Sequence, residues 1–491
     1  VNQRPTLLGE VRGILSLAAK AYQGHPQSQA VEAAAARLDE PLRVAIAGKV
    51  KAGKSTLLNA LVGEELAPTD AGECTRIVTW YRDGITYRVT AFPHEGVPRQ
   101  IPFNRSGGAI DVDLGDLGAE AVHRLEVQWP SASLRTLTLI DTPGIASLST
   151  HVSARAMSFL APGDDQVTPA DAVLYLMRHL HSTDLNFLET FHDDEVAQAT
   201  PVNSVAVLSR ADEVGVGRLD SMTSASRIAA RYRDDPKIRR LCQTVVPVAG
   251  LLAQAGTTLR EAEFRALQLM ATADPGEVDR LFLSADRFAQ APTSVALTTM
   301  EREHLLDRLG LYGVRLSVAL MRDRQAQTSS QLADLLVRYS GLVELRHVLV
   351  TQFAARRDTL KARSALLAVE AMLHEQPAGD GGHLAAELER VTAGAHELAE
   401  LRLLNGLRAG TARLRADEVA EAERLLGNGG PRAAQRLGLP DDADPSDTRA
   451  ALDRAIARWQ RRAENPLSSR DAVDASRVLI RTCEGLLAGG R

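Results

Sequence analysis

The residues best suited to chemistry stand in one short run, Gly48-Lys49-Val50-Lys51-Ala52-Gly53-Lys54-Ser55. It fits G-x-x-x-x-G-K-[ST], whose glycines let successive backbone N–H groups turn toward the phosphates of a nucleotide. The positive end of a following helix, which opens at Ser55 and Thr56, adds to that field. In such a loop Lys54 reaches the β- and γ-phosphates, and the Ser55 hydroxyl ligates Mg²⁺. The plainer explanation is a fortuitous glycine–lysine turn. Its flanks argue otherwise, since an apolar run at 43–47 leads in and a helical pattern at 55–62 leads out. Only six lysines occur among the 57 basic residues, and three of them are Lys49, Lys51 and Lys54.

Three further signals follow. Asp141-Thr142-Pro143-Gly144 comes directly after the apolar run 136–140. There the carboxylate can touch Mg²⁺ through water, and the Gly144 N–H can bond the γ-phosphate. Ser209-Arg210-Ala211-Asp212 closes the run 204–208. A carboxylate at Asp212 can accept from both N1–H and the N2 amine of guanine, and adenine offers neither in that geometry. Thr75 stands in a loop before the run 77–82, where a hydroxyl could complete the Mg²⁺ shell once γ-phosphate is present. Each tetrapeptide is weak alone, because a DTPG turn is often only a turn and an Asp after a strand often only caps a helix. Four signals, each at the carboxyl end of a strand, are strong together.

The elements that must position these residues can be read from apolar periodicity. Helical spacing runs over 5–40, broken at Gly24-His25-Pro26. From Leu42 short strands (43–47, 77–82, 87–92, 124–129, 136–140, 172–177, 204–209 and 244–248) alternate with amphipathic helices. That is the pattern of an α/β domain with a mixed, mostly parallel sheet. The strands between about 83 and 130 lie close together and read as an antiparallel hairpin extension on one sheet edge. Beyond Gly250 only helical patterns remain, so an all-α helical bundle is expected to follow. The longest pattern, 342–373, repeats Leu342, Leu345, Leu349, Phe353 and Leu360 like the seam of a bundle or coiled coil.

Composition narrows the function classes. The chain has 491 residues, is 45% apolar and 24% charged, and carries a net charge of −5. Two to four soluble domains are expected, and the mild acidity argues against nucleic acid as a partner. No apolar run approaches the about 18–20 residues that span a bilayer; the best stretch, 245–253, contains Pro247. The opening residues do not read as a secretory leader. Cys74, Cys242 and Cys483 have no metal-ligand spacing, which fits a reducing, cytoplasmic compartment.

On its nucleotide motifs the chain resembles the GTPases of the dynamin superfamily, over about residues 43–250. More closely it is similar to the bacterial dynamin-like proteins of actinobacteria, in particular the isoniazid-induced family of mycobacteria. That likeness extends to Gly341-Leu342-Val343-Glu344-Leu345 and to Trp459-Gln460-Arg461-Arg462-Ala463-Glu464-Asn465-Pro466-Leu467. The resemblance implies helices at 1–40 packing with a neck, a GTPase domain at 41–340 and a helical neck and trunk at 341–491. It implies binding of GTP and GDP with Mg²⁺, hydrolysis of GTP and nucleotide-dependent self-association of G domains. It also implies a paralogous dynamin-like partner and work at the inner face of the plasma membrane. By position, Thr75 becomes the switch I threonine, Asp141 and Gly144 open switch II, and Val248-Ala249-Gly250 covers the base.

Two departures from that family pattern carry consequences. Arg210 replaces the usual lysine, which leaves stacking on the base possible and the bond to the phosphate loop open. Ile145 cannot orient water as glutamine does, which puts hydrolysis under other groups or a dimer partner. In related GTPases that dimerise, the position of Lys51 often holds Asn or Ser beside a monovalent cation. An ammonium there can act as a built-in catalytic charge, although a lysine that only attracts nucleotide over long range is the plainer alternative.

Lipid contact has two basic candidates, Arg454, Arg458, Arg461 and Arg462 beside Trp459, and Arg356, Arg357, Lys361 and Arg363. Such stripes more often face water or pair with nearby acids, which the acid-rich stretch 366–425 could supply. Three functions compete: a membrane-remodelling GTPase, a slow GTP-binding scaffold for a second dynamin-like protein, and a ribosome-linked GTPase. The third lacks a basic RNA-binding appendage.

Overall fold

Strand β1 (Leu42–Gly48) is buried along almost its whole length, as expected of a strand covered on both faces. The computed structural model describes residues 6–68, 77–106, 109–143, 170–178, 203–375 and 381–489. The other strands are β2 (Val78–Arg82), β3 (Arg88–Pro93), β4 (Arg99–Ile101), β5 (Phe103–Ser106), β6 (Ala109–Val112), β7 (Val122–Gln128), β8 (Leu137–Asp141), β9 (Ala172–Met177), β10 (Ser204–Ser209) and β11 (Val245–Val248). Nine of them form one sheet in the order β11-β10-β9-β1-β8-β2-β7-β3-β4, and β5 pairs with β6 apart from it. Strands β11, β10, β9, β1 and β8 are mutually parallel.

The expected edge extension is present, with one difference. Strand β3 runs antiparallel to β4 and β7, whereas β7 returns to lie parallel to β2. The chain therefore leaves the sheet after β2, builds the outer strands and comes back inside them. Turn spacing alone did not reveal that crossing.

Helices α1 (Leu7–Ala21), α2 (Ser28–Asp39) and α3 (Lys54–Val62) precede the edge strands. Then come α4 (Ser221–Asp234), α5 (Pro236–Leu241), α6 (Gly250–Thr258), α7 (Glu261–Thr272), α8 (Pro275–Leu281), α9 (Ala285–Gln290), α10 (Thr299–Arg322) and α11 (Ser329–Tyr339). The last group is α12 (Leu342–Val348), α13 (Arg357–Glu375), α14 (Gly381–Gly394), α15 (His396–Ala409), α16 (Ala416–Leu425), α17 (Ala433–Leu437), α18 (Pro445–Glu464) and α19 (Arg470–Gly489). Helices α1, α2, α13 and α14 share one apolar core, and α15, α16, α18 and α19 share another.

The single long helix expected at 342–373 is not formed. A π-helical turn, Leu349–Phe353, and a 3₁₀ turn, Ala354–Arg356, separate α12 from α13. A π turn inserts an extra residue and resets which face looks inward. Leu342, Leu345, Leu349, Phe353 and Leu360 accordingly do not zip a bundle; they enter the same core as β1 and α3. Packing is therefore continuous across residue 341, where a domain boundary was expected. Arg346 on α12 donates to Ala60 O near the end of α3 at 3.0 Å.

Of the two basic candidates for lipid, the run at 356–363 is engaged inside the protein and the run at 454–462 only in part. Trp459 is only 1% exposed and so is no interfacial anchor. Arg458 pairs with Glu421 at 2.7 Å and Asp417 at 3.1 Å, and Arg462 pairs with Glu418 at 3.1 Å. Arg454 and Arg461 face solvent. In the other run, Arg356 donates to Leu426 O at 2.9 Å and Arg357 to Glu40 O at 2.9 Å. Burial pushes Arg356 and Arg363 down to about 10. Among the described residues no helix is long and apolar enough to cross a membrane.

Lys361, the third member of that run, joins a buried ion network at the amino end of β9. Asp171 accepts from Arg37 at 2.6 Å, from the Arg43 amide at 2.9 Å and from Ser364 at 3.3 Å, and faces Lys361 Nζ at 3.3 Å. Lys361 also donates to Arg37 O at 2.8 Å. Burial alone would raise the Asp171 pKa, but Arg37 and Lys361 overcome it and the net direction is down. Removing one partner of such a network leaves charge stranded out of water. Asp171→Asn should therefore cost about 3–5 kcal/mol of stability, measurable by urea unfolding of the full chain. A loss below about 1 kcal/mol, the scale of an exposed pair, would contradict that account.

Candidate functional site

The phosphate loop leaves the sheet at Gly48, whose φ is 148°. A Cβ there would stand 2.5 Å from the Leu176 carbonyl oxygen on β9, so only glycine passes this point. Lys49 and Val50 follow, and the loop then turns over at Lys51, an exposed residue with φ 62°. It continues through buried Ala52 to Gly53, φ 90°, which opens α3. Lys54 curls back across its own loop, donating to Gly48 O at 3.2 Å and Lys49 O at 3.3 Å. Burial lowers its pKa, while the negative charge of Asp141 opposes that shift.

Parallel pairing of β1 and β8 sets Asp141 opposite Ile46. Thr142 reinforces the junction, its hydroxyl donating to Ile46 O at 2.9 Å. Ser55 Oγ donates to Asp141 Oδ2 at 2.9 Å. Burial raises the Asp141 pKa against the pull of Lys54 and Ser55. Its Oδ1 is buried without a hydrogen-bond partner. An unpaired carboxylate oxygen beside a serine hydroxyl is a costly arrangement for a free protein and a fitting one for a hard cation's shell. These residues fit Mg²⁺. Thr75 and Gly144, the remaining two of this group, lie outside the described residues.

A second cluster forms at the ends of β10 and β11. Asp212, Ser209 and Arg210 line a pocket with Ala52, Gly53, Thr56, Val248 and Gly250, so the residues expected to read a base and the glycine-rich loop share one cavity. Ser209 Oγ donates to Met177 O at 3.2 Å and ties β10 to β9. Arg210, at φ 53°, points its guanidinium to Glu213 at 2.8 Å. Arg178 grips the same Glu213. Thr56 lies against Gly250, where a Cβ would meet its Cγ2 at 3.5 Å. Glu213 and Leu251 also line the pocket and were missed from sequence. An acid three residues after Arg210 was a usable signal for Glu213, whereas Leu251 reads as an ordinary core residue.

The loop at Val248-Ala249-Gly250 is held from the helical side. The Ala249 amide donates to Ser340 O at 2.9 Å. Gly341, φ 81°, presses so closely that a Cβ would stand 2.1 Å from Pro247 O. The α11–α12 turn thus abuts the loop that lines this pocket.

Comparison with known proteins agrees with this geometry. The profile of the dynamin family matches residues 44–196. The chain is 40% identical over 488 residues to the isoniazid-induced protein IniC of Mycobacterium tuberculosis, covering 97% of this chain and 98% of that one. It is 34% identical over 128 residues to the isoniazid-induced protein IniA of the same organism, covering 24% and 19% of the two chains. A bacterial dynamin-like protein of Nostoc punctiforme is 29% identical over 147 residues, 28% of this chain and 20% of that one.

Burial lifts the Asp212 carboxyl to about 6, with the charge of Glu213 adding to the rise and Arg210 and Arg178 opposing it. A carboxylate that reads guanine must be ionised, so protonation competes with the base. GDP affinity should fall as pH drops from 7 to 5, and Asp212→Asn, weaker at pH 7, should show a flatter profile. In the ligand-free protein the sign reverses. A pKa raised on folding means the native state binds this proton more tightly, so the group adds stability as pH falls from about 6 toward 4. Titration calorimetry at several pH values checks the first point. Parallel profiles for the two proteins would show that the base is read elsewhere.

Proposed function

The chain belongs to the dynamin family, and we propose that it binds GTP with Mg²⁺, hydrolyses it, and couples that cycle to self-association at a membrane. One observation carries the reading. Lys54, Ser55, Asp141 and Asp212 come from three separate stretches, yet all stand at the carboxyl ends of β1, β8 and β10 in one sheet. Open α/β sheets bind their ligands at that edge.

In this scheme Lys54 exchanges the carbonyls of Gly48 and Lys49 for β- and γ-phosphate oxygens. Its ammonium is desolvated beforehand, so little solvent need be displaced when charge develops. Ser55 and Asp141, with Thr75, would hold Mg²⁺, which would supply charge that neutralises the phosphates. The Gly144 amide holds the γ-phosphate. Asp212 accepts two donors from guanine, while Ser209, Val248, Ala249 and Gly250 shape the pocket around it. GDP remains when inorganic phosphate leaves.

Self-association supplies what Ile145 does not, an ordered environment for the attacking water. The similarity to both IniC and IniA supports a paralogous dynamin-like partner, and in this scheme the pair works at the inner face of the plasma membrane. A slow GTP-binding scaffold is the second reading. It is favoured by the engagement of Arg210 with Glu213, which leaves the phosphate loop without the usual cation from this motif.

Turnover measured from nanomolar to micromolar protein, with and without anionic liposomes, separates the two readings. The GTPase reading expects specific activity to rise with concentration or lipid, and Lys54→Ala to abolish it. A flat, slow rate under all conditions supports the scaffold. For Lys51 we expect a fixed catalytic charge: Lys51→Ala should lower kcat about 100-fold with little change in nucleotide affinity. The wild type should work equally well in sodium and potassium buffers. Strong potassium activation of the wild type would rule that role out.

A further inference from the structure

Helix α10 is broken in its middle. Gly310 has φ 66° and ψ 169° inside a segment that is otherwise helical for 24 residues. The break stands against the base pocket. A Cβ on Gly310 would lie 3.9 Å from Asp212 Oδ2 and 3.7 Å from Leu251 Cδ1. Two residues later Tyr312 is 3% exposed, and its Cβ lies 3.9 Å from where a Cβ on Gly217 would be. The tyrosine hydroxyl is pushed up to about 12, by burial first and by the charge of Asp212 second.

The stretch from Asp212 to Gly217 is itself strained. Gly215, Val216 and Gly217 have φ of 67°, 65° and 66° in succession. Valine is β-branched and rarely tolerates that region, so the turn must be held from outside. Val216 has no cover of its own, being 89% exposed. Arg315, farther along α10, donates to Gly217 O and, at 2.5 Å, to Phe282 O. Its guanidinium also lies 5.6 Å from the centre of the Phe282 ring. The turn that carries Asp212 is thus pinned at its far end by one helix, and the same helix withdraws its side chain where the carboxylate sits.

We propose that the interrupted helix α10 sets base selectivity, with Gly310 leaving room at the Asp212 carboxylate and Arg315 positioning the turn that carries it. This rests on the guanine reading of Asp212. Two hydrogen bonds from one base to one carboxylate tolerate little displacement. Loosening the turn therefore reduces discrimination between bases and leaves the phosphate contacts of Lys54 and Ser55 as they were.

The test compares GDP, IDP and ADP binding to the full chain. Inosine lacks the exocyclic amine of guanine, so the GDP/IDP ratio reports the second hydrogen bond to Asp212. Arg315→Ala should weaken GDP about tenfold, roughly the worth of one hydrogen bond to a charged acceptor, and IDP far less. The ratio then shrinks. Arg315→Lys keeps the charge, but its single ammonium cannot bridge both carbonyls, so it should give an intermediate ratio; it carries the test if the alanine variant does not fold. A general loss of structure would lower GDP and IDP affinity by the same factor, and that result overturns the proposal, as does an unchanged ratio in either folded variant. A wild type that takes ADP as readily as GDP overturns the guanine reading, and this proposal with it. Intact wild-type preference with unmoved variants overturns this proposal alone.

Discussion

Asp171 is shut away from water at the start of β9, and the cations that neutralise it come from helices outside the sheet. Arg37 belongs to α2 and Lys361 to α13, so one carboxylate joins the amino-terminal helices, the nucleotide-binding sheet and the long helix after the π turn. Burying ions gains little net free energy, because desolvation offsets attraction; what it gains here is a single permitted arrangement. The elements can slide apart only by leaving charge unpaired in a dry interior. It also explains why Lys361, in a run that reads as a lipid-binding stripe, is turned inward.

The opposite edge of the sheet uses carboxylates differently. Asp171 is surrounded by cations, and its pKa falls despite burial. Asp212 is buried and Asp141 half-buried, both with weaker compensation, and their pKa values rise. At one end the charge is satisfied by the protein, which makes structure. At the other it is held less completely, with Asp141 Oδ1 unpaired and Asp212 on the wall of a pocket. The cost of that unpaired oxygen is borne by a sheet whose core strands are almost entirely buried.

The pocket beside Asp212 is not built by the α/β domain alone. Its loop at Ala249 bonds to Ser340, Gly341 presses on Pro247, and α10 backs Asp212. Helix α12, which follows Gly341, enters the core beneath α3, the helix that the phosphate loop opens. Base loop, phosphate-loop helix and the root of the helical half are therefore in direct packing contact.

Local sequence was enough for the phosphate loop, the strand ends bearing Asp141 and Asp212, and the change from α/β to all-helical after Gly250. Each depends on residues close in the chain: glycines where φ is positive, apolar runs of strand length, and a polar residue at the end of each run. The local backbone of that region was legible for that reason. Which arginines face water, why Trp459 is core, and where the 342–373 helix breaks were decided only in three dimensions. Glu418 and Arg462 are far apart in sequence, as are Asp171 and Lys361, and no spacing rule links them. Gly310 makes the same point, since in sequence it is one glycine in an amphipathic helix. Only the fold shows that the helix is interrupted there and that the break lies beside Asp212, nearly a hundred residues earlier in the chain.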